Sequence, residues 1–146
     1  ETPIFTPTTK GVKDEPLNSA KVRELFPEIV TNLEKLFKDF TIFAEQRGII
    51  VVDTKFEIFV NSKGEWVLGD EVLTPESSRF ISKEDFDAKN YISMDKQILR
   101  DFGKADNWKE KAKELKSGEK LEVNVPQSIK DKILSGYTTI LNRLSK

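Results

Sequence analysis

Residues 49–80 read IIVVDTKFEIFVNSKGEWVLGDEVLTPESSRF. Four β-branched residues, Ile49 to Val52, open the stretch. Strict alternation follows, with Asp53, Lys55 and Glu57 on one face and Thr54, Phe56 and Ile58 on the other. Asn61-Ser62-Lys63-Gly64 is a turn signal with Gly at its last position. A second strand is expected from Glu65 to Asp70, then an irregular acidic and hydroxyl-rich loop from Glu71 to Arg79. The whole stretch predicts one β-hairpin with a charged face.

Register gives that face its chemistry. With the turn at Asn61 to Gly64, Val60 pairs with Glu65 and Lys55 faces Asp70; a slip of two residues pairs Glu57 with Asp70 instead. Either odd-sum register gathers Asp53, Lys55, Glu57 and Asp70 on one surface. Opposed residues lie about 4.5–5.5 Å apart, and two carboxylates that close need a cation between them. Lys55 is one candidate and a divalent metal the other. Oxygen-only ligands suit Mg²⁺, which binds through one or two carboxylates plus substrate phosphates. The plain alternative is a solvated hairpin face with ordinary cross-strand pairing of Lys and Asp. Against it, the face carries charges rather than Thr, Gln and Ser, and it runs into Ser77, Ser78 and Arg79, groups that hold phosphate.

The 146 residues suffice for one domain with a real core. Net charge is −1, with 24 basic and 25 acidic side chains, so nothing electrostatic argues for nucleic acid or an anionic membrane. The chain has no Cys, which excludes disulfides and thiolate chemistry and fits a reducing compartment. It has no His, the commonest general base and zinc ligand. Catalysis would fall to carboxylates, Lys, Arg, hydroxyls and metal. No apolar run approaches the roughly 20 residues that span a bilayer, and no stretch reads as a secretory signal.

Around the hairpin, helices are expected. Glu1 to Pro16, with Pro3, Pro7 and Pro16, reads as an extended segment, and a chain opening this way without Met reads as a fragment cut at a domain boundary. Asn18 or Ser19 can cap a short helix, and Pro27 fits the first turn of a second. Ile29, Leu33, Leu36, Phe37, Phe40, Phe43 and Ala44 give that second helix an apolar stripe, with Gly48 as its stop after Arg47. Ser82 caps a short turn around Glu84 to Phe86. Ser93 or Asp95 caps a helix carrying Ile98, Leu99 and Phe102, with Lys96 and Arg100 one turn apart on another face. A charged helix is expected from Asp106 to Lys116, an extended run from Leu121 to Val125, and a last helix from Pro126 with Ile129, Ile133, Leu134, Tyr137, Ile140, Leu141 and Leu144 as its stripe. The fold class is α+β: an antiparallel hairpin packed by long amphipathic helices. No GxGxxG or GxxxxGK[ST] loop is present.

Asp53-Thr54-Lys55-Phe56-Glu57, then Gly69-Asp70-Glu71-Val72-Leu73-Thr74-Pro75-Glu76-Ser77-Ser78-Arg79-Phe80, then Asp95-Lys96-Gln97 with Arg100, closely resemble the SAICAR synthetase family. The opening Pro3-Ile4-Phe5-Thr6-Pro7-Thr8-Thr9-Lys10 is similar to the segment where that family's chain enters its C-terminal half. The resemblance covers nearly the whole chain. One departure stands out: the family usually has Gly two residues after the strand glutamate, where this chain has Phe59, which bears on the local bulge.

The resemblance implies a cytoplasmic ligase of purine biosynthesis, phosphoribosylaminoimidazole-succinocarboxamide synthase. That enzyme joins carboxyaminoimidazole ribotide to L-aspartate with ATP as co-substrate and Mg²⁺ as cofactor. It implies a kinase-like or ATP-grasp-like two-lobe enzyme, of which residues 1–146 are the larger, C-terminal lobe. The ATP-binding β-rich lobe would lie outside this chain, so this chain alone would be inactive. It implies Glu57 and Asp70 as metal ligands, and Lys55 and Asp53 as catalytic residues that neutralise charge and orient the substrate. Ser77, Ser78 and Arg79 would grip the ribotide phosphate, with Lys96 and Arg100 as further anion contacts. The oligomeric state stays open, a homo-oligomer included.

Two other classes compete. A carboxylate–lysine nuclease site usually places Lys two residues after Glu, whereas Lys55 precedes Glu57, and nucleases favour a basic groove. The isolated lobe could also serve as a non-catalytic binding module.

Overall fold

The computed structural model describes residues 3–145. It is α+β and divides into two compact units, Glu1–Phe43 and Ala44–Lys146.

In the first unit, residues 3–18 form neither helix nor strand. The segment is folded back on itself by an isolated bridge between Thr8 and Pro16, where the Thr9 N–H donates to the Glu15 carbonyl at 2.9 Å. Helix α1 spans Ser19–Leu25. Asn18 is its N-cap, and its Oδ1 accepts the Lys21 N–H at 3.0 Å, satisfying an otherwise orphaned donor. Arg23 of α1 pairs with Glu34 of α2 and stacks over the Phe5 ring at 5.1 Å. Helix α2 spans Pro27–Glu45, beginning at the proline as expected. It ends two residues before Arg47; a turn then carries the chain to Gly48, whose φ of 73° a side chain would resist.

The second unit holds four short strands: β1 Ile49–Thr54, β2 Glu57–Val60, β3 Trp66–Gly69 and β4 Ser78–Ser82. They do not form one hairpin. β1 pairs antiparallel with β4, and β2 pairs antiparallel with β3, giving two separate two-stranded sheets. The alternation that runs through Lys55 and Phe56 conceals a break: there the Lys55 N–H leaves the hairpin and donates to the Ser77 carbonyl at 2.9 Å. Residues 78–82, where the sequence suggests the end of a loop at Arg79 and a cap at Ser82, supply the missing partner of β1.

The β2–β3 register is Glu57↔Gly69, Ile58↔Leu68, Phe59↔Val67, Val60↔Trp66. Its sums are even, so both odd-sum registers expected from the sequence are wrong by one residue. The turn residues explain the shift. Asn61 closes the turn by accepting the Lys63 and Glu65 N–H groups on Oδ1 at 2.9 and 3.0 Å, and its own N–H reaches the Glu65 carbonyl at 2.9 Å. Asn61 therefore faces Glu65, and Val60 faces Trp66. Phe59, where the family pattern has Gly, lays its ring over Gly69: a Cβ there would meet that ring at 2.7 Å.

β1 and β4 carry the core. Ile49, Val51, Phe80 and Ile81 are buried, as is Ile140 of the last helix. A bulge between Val51 and Asp53 resets the phase of β1 and sets Asp53 opposite Arg79 and Thr54 opposite Ser78.

Three shorter helices follow: α3 Lys83–Asp87, α4 Gln97–Ala105 and α5 Trp108–Lys113. Ser82 caps α3 by accepting the Asp85 N–H at 3.0 Å. α5 is shorter than the expected 106–116 helix, and Leu121 to Val125 forms no strand. Helix α6, Gln127–Leu144, follows Pro126. Its expected stripe is only partly covered: Ile140 is buried, whereas Leu134 and Leu141 are exposed. Arg143 anchors its end by donating to the Gly48 carbonyl at 2.7 Å and pairing with Glu84. No described helix is long and apolar enough to cross a membrane.

Candidate active site

Lys55 follows β1, Glu57 opens β2, and Asp70 comes just after β3. The Lys55 ammonium donates to Glu57 and lies 3.4 Å from Asp70 Oδ2, so one cation holds both carboxylates. The cross-strand register does not bring them together, because Glu57 opposes Gly69. Backbone handedness does. Asp70 has φ 60°, a left-handed conformation that Asp tolerates better than most residues. That one residue breaks the alternation and turns its side chain back onto Lys55. The Glu57 side chain is only 11 % exposed and that of Asp70 43 %. The hydrogen bond to Glu57 pushes the Lys55 pKa up and Asp70 adds to it, so the ammonium is protonated at neutral pH.

The loop between β3 and β4 closes the site. Lys55, Asp70, Glu71, Glu76, Ser77 and Lys96 line a shallow cavity of about 230 Å³. The Ser77 Oγ accepts the Thr74 N–H at 3.1 Å, and the Ser77 and Ser78 N–H groups both return to the Thr74 carbonyl. Lys96 stands at the entry to α4, its ammonium 3.9 Å from Glu76. Arg100, one turn further along α4, is exposed and does not line the cavity.

Asp53, Ser78 and Arg79 belong to the neighbouring sheet. Arg79 is clamped on Asp53, its Nε donating to Oδ2 at 2.9 Å and its Nη2 reaching the same oxygen. Two of the five guanidinium N–H groups are used on Asp53, and the Arg79 side chain is half exposed. Ser78 is placed differently from Ser77: it is buried, and its hydroxyl shares a hydrogen bond of 2.8 Å with Thr54.

Asp95 ties β4 to the start of α4. It is fully buried, accepting the Phe80 N–H on Oδ2 and the Gln97 N–H on Oδ1, both at 2.8 Å. Burial pushes its pKa up, against the pull of those two N–H groups and of Arg79.

The donor set fits Mg²⁺. Among the described residues, no group of three or more His, Cys, Asp or Glu side chains is placed to hold a metal. Two carboxylates already share one cation, however, and two oxygens plus substrate phosphates and water is the usual Mg²⁺ arrangement.

A family model described as SAICAR synthetase matches residues 1–115. The chain belongs to the SAICAR synthetase family. A phosphoribosylaminoimidazole-succinocarboxamide synthase from Neisseria meningitidis is 34% identical over 152 residues, covering 98% of this chain and 50% of its own length. One from Lachnospira eligens is 42% identical over 119 residues, covering 70% of this chain and 40% of its own. The solved SAICAR synthase of Saccharomyces cerevisiae, complexed with SAICAR, superposes with a TM-score of 0.63 at 33% identity, over 98% of this chain and 46% of that one. The chain thus spans about half the length of the curated SAICAR synthetases it matches. Membership in this family separates it from the carboxylate–lysine nucleases.

Sequence reasoning missed Glu71 and Glu76 as cavity walls, and Tyr137, whose hydroxyl donates to Glu76 from α6. The loop acids carry no periodic signal. Tyr137 was absorbed into an apolar stripe, although a phenol that is half buried seeks a hydrogen-bond partner.

Proposed function

We propose that this chain is the larger, C-terminal lobe of a two-lobe, ATP- and Mg²⁺-dependent ligase that joins carboxyaminoimidazole ribotide to L-aspartate, giving SAICAR, ADP and phosphate in purine biosynthesis. The observation that carries it is one ammonium, Lys55, shared by Glu57 and Asp70 on the wall of an anion-sized cavity. The named activity of the similar synthases and the yeast complex with SAICAR support the same reading.

Glu57 and Asp70 would hold Mg²⁺, which when bound neutralises charge on the ATP phosphates. Lys55 offsets the negative charge that builds where the γ-phosphoryl group meets the imidazole carboxylate. A carboxylate oxygen attacks phosphorus, the bond to the bridging oxygen breaks, and ADP leaves. The aspartate amine then attacks the acyl carbon; phosphate departs with the bonding pair and the amine loses its proton. Asp53, held by Arg79, orients the substrate or the incoming amine. The Arg79 N–H groups not engaged by Asp53 and the Ser77 hydroxyl grip the ribotide phosphate, and Lys96 adds a second cation. Ser78 fixes the strand beneath Arg79 through Thr54. Arg100, exposed one turn along α4, would add a further anion contact. Phosphoryl transfer asks a protein chiefly for positioning and charge neutralisation, so the lack of His is no obstacle.

The full-length protein is expected to form SAICAR only when ribotide, aspartate, ATP and Mg²⁺ are all supplied. Residues 1–146 alone are expected to form none. A full-length protein that makes no SAICAR from the complete mixture overturns the proposal.

A further inference from the structure

Helix α6 lies beyond the residues that the family model matches. Its Tyr137 nonetheless reaches the candidate site. The phenol donates to Glu76, 61 positions away in sequence, and Glu76 is a wall of the cavity. The other oxygen of that carboxylate lies 3.9 Å from the Lys96 ammonium. This is close enough for attraction but too long for a hydrogen bond. Lys96 therefore keeps its three N–H groups for something else.

That spacing needs a cause. An unrestrained Glu76 would swing onto Lys96 and close a charge-assisted hydrogen bond of about 2.7–2.9 Å, neutralising the ammonium. The phenol competes for the carboxylate. We infer that Tyr137 is a positioning residue of the candidate site: by holding Glu76 back, it keeps the Lys96 ammonium open to an anionic group of the substrate, a phosphate or carboxylate. The inference rests on the reading of this cavity as a substrate site.

Three features support it. Burial, then the bond to Glu76, pushes the Tyr137 pKa up, so the O–H remains a donor at any working pH. Gly136 brings α6 close enough: a Cβ there would meet the Met94 carbonyl oxygen at 2.4 Å, a contact with backbone that could not give way. The Lys96 N–H also donates to the Pro75 carbonyl at 3.3 Å, so Lys96 and the Glu76 loop are already registered to each other without the carboxylate.

The test is the binding of inorganic phosphate to the full-length protein, by titration calorimetry, in wild type, Tyr137→Phe, Glu76→Gln and the double variant. Tyr137→Phe keeps the ring and removes only the donor; it is expected to weaken phosphate binding about five- to tenfold. Glu76→Gln keeps an acceptor for the phenol and removes the charge facing Lys96, so it is expected to bind at least as tightly as wild type. The double variant is expected to recover wild-type affinity, because no carboxylate is left to collapse. A merely structural brace would leave the double variant worse than either single one. Unchanged binding in Tyr137→Phe, no recovery in the double variant, weaker binding in Glu76→Gln, or no phosphate binding by wild type each overturns the inference. None of these needs turnover. A full-length protein that binds phosphate in this pattern yet makes no SAICAR refutes the ligase reading alone.

Discussion

Asp95→Ala is expected to destabilise the fold by about 3–5 kcal/mol. The carboxylate is fully buried and makes two hydrogen bonds of 2.8 Å, one to the Phe80 N–H of β4 and one to the Gln97 N–H of α4. Hydrogen bonds to charged groups contribute about 1.5–3 kcal/mol each, and buried donors left without partners add their desolvation penalty. Alanine removes both acceptors at once. Asparagine is a poor substitute, since its amide offers one acceptor and would turn an N–H₂ toward the second donor. Urea unfolding reads the change. A loss below about 1 kcal/mol for Asp95→Ala, the value of an ordinary surface contact, would mean that other groups satisfy those donors and that Asp95 does not tie β4 to α4.

Lys55→Met in the full-length protein is expected to lower kcat for SAICAR formation by about 10²–10³, the usual effect of removing one preorganised charge-stabilising donor. The ammonium sits between Glu57 and Asp70. Methionine keeps much of the stem and loses the charge, so two carboxylates are left facing each other. The side chain is 56% exposed, so stability should change by no more than about 1 kcal/mol. A large kinetic loss on a nearly unchanged unfolding curve is therefore the expected pair of results. A kcat within threefold of wild type would remove Lys55 from the chemistry and leave it as a bridge between Glu57 and Asp70.

How much of this was readable in the chain depends on how local the signal is. Asn18, Pro27, Ser82 and Pro126 mark helix starts because capping and the first-turn tolerance of proline are decided within four residues. The pairing of β1 with β4 is not local. Nothing in the alternation of residues 53–58 shows that the Lys55 N–H departs to Ser77, or that a bulge follows Val51. The register failed at Asn61, whose side chain closes a turn one residue tighter than its composition suggests. The convergence of Lys55, Glu57 and Asp70 was expected from a register that does not exist; the left-handed backbone of Asp70 produces it instead. Ser77 and Ser78 are adjacent and read alike. Strand pairing buries one and leaves the other on the cavity wall. Tyr137 was out of reach because its partner is 61 residues away.

The central claim is that Glu57 and Asp70 act as one cation-binding pair. The Mg²⁺ dependence of the initial rate of SAICAR synthesis tests it most directly, measured on the full-length protein, Glu57→Gln, Asp70→Asn and the double variant. Residues that act as a unit are strongly non-additive. Each single variant is expected to raise the Mg²⁺ concentration for half-maximal rate at least tenfold, and the double variant to be little worse than the poorer single one. Single variants that keep the wild-type Mg²⁺ dependence, or effects that simply multiply in the double variant, would contradict it.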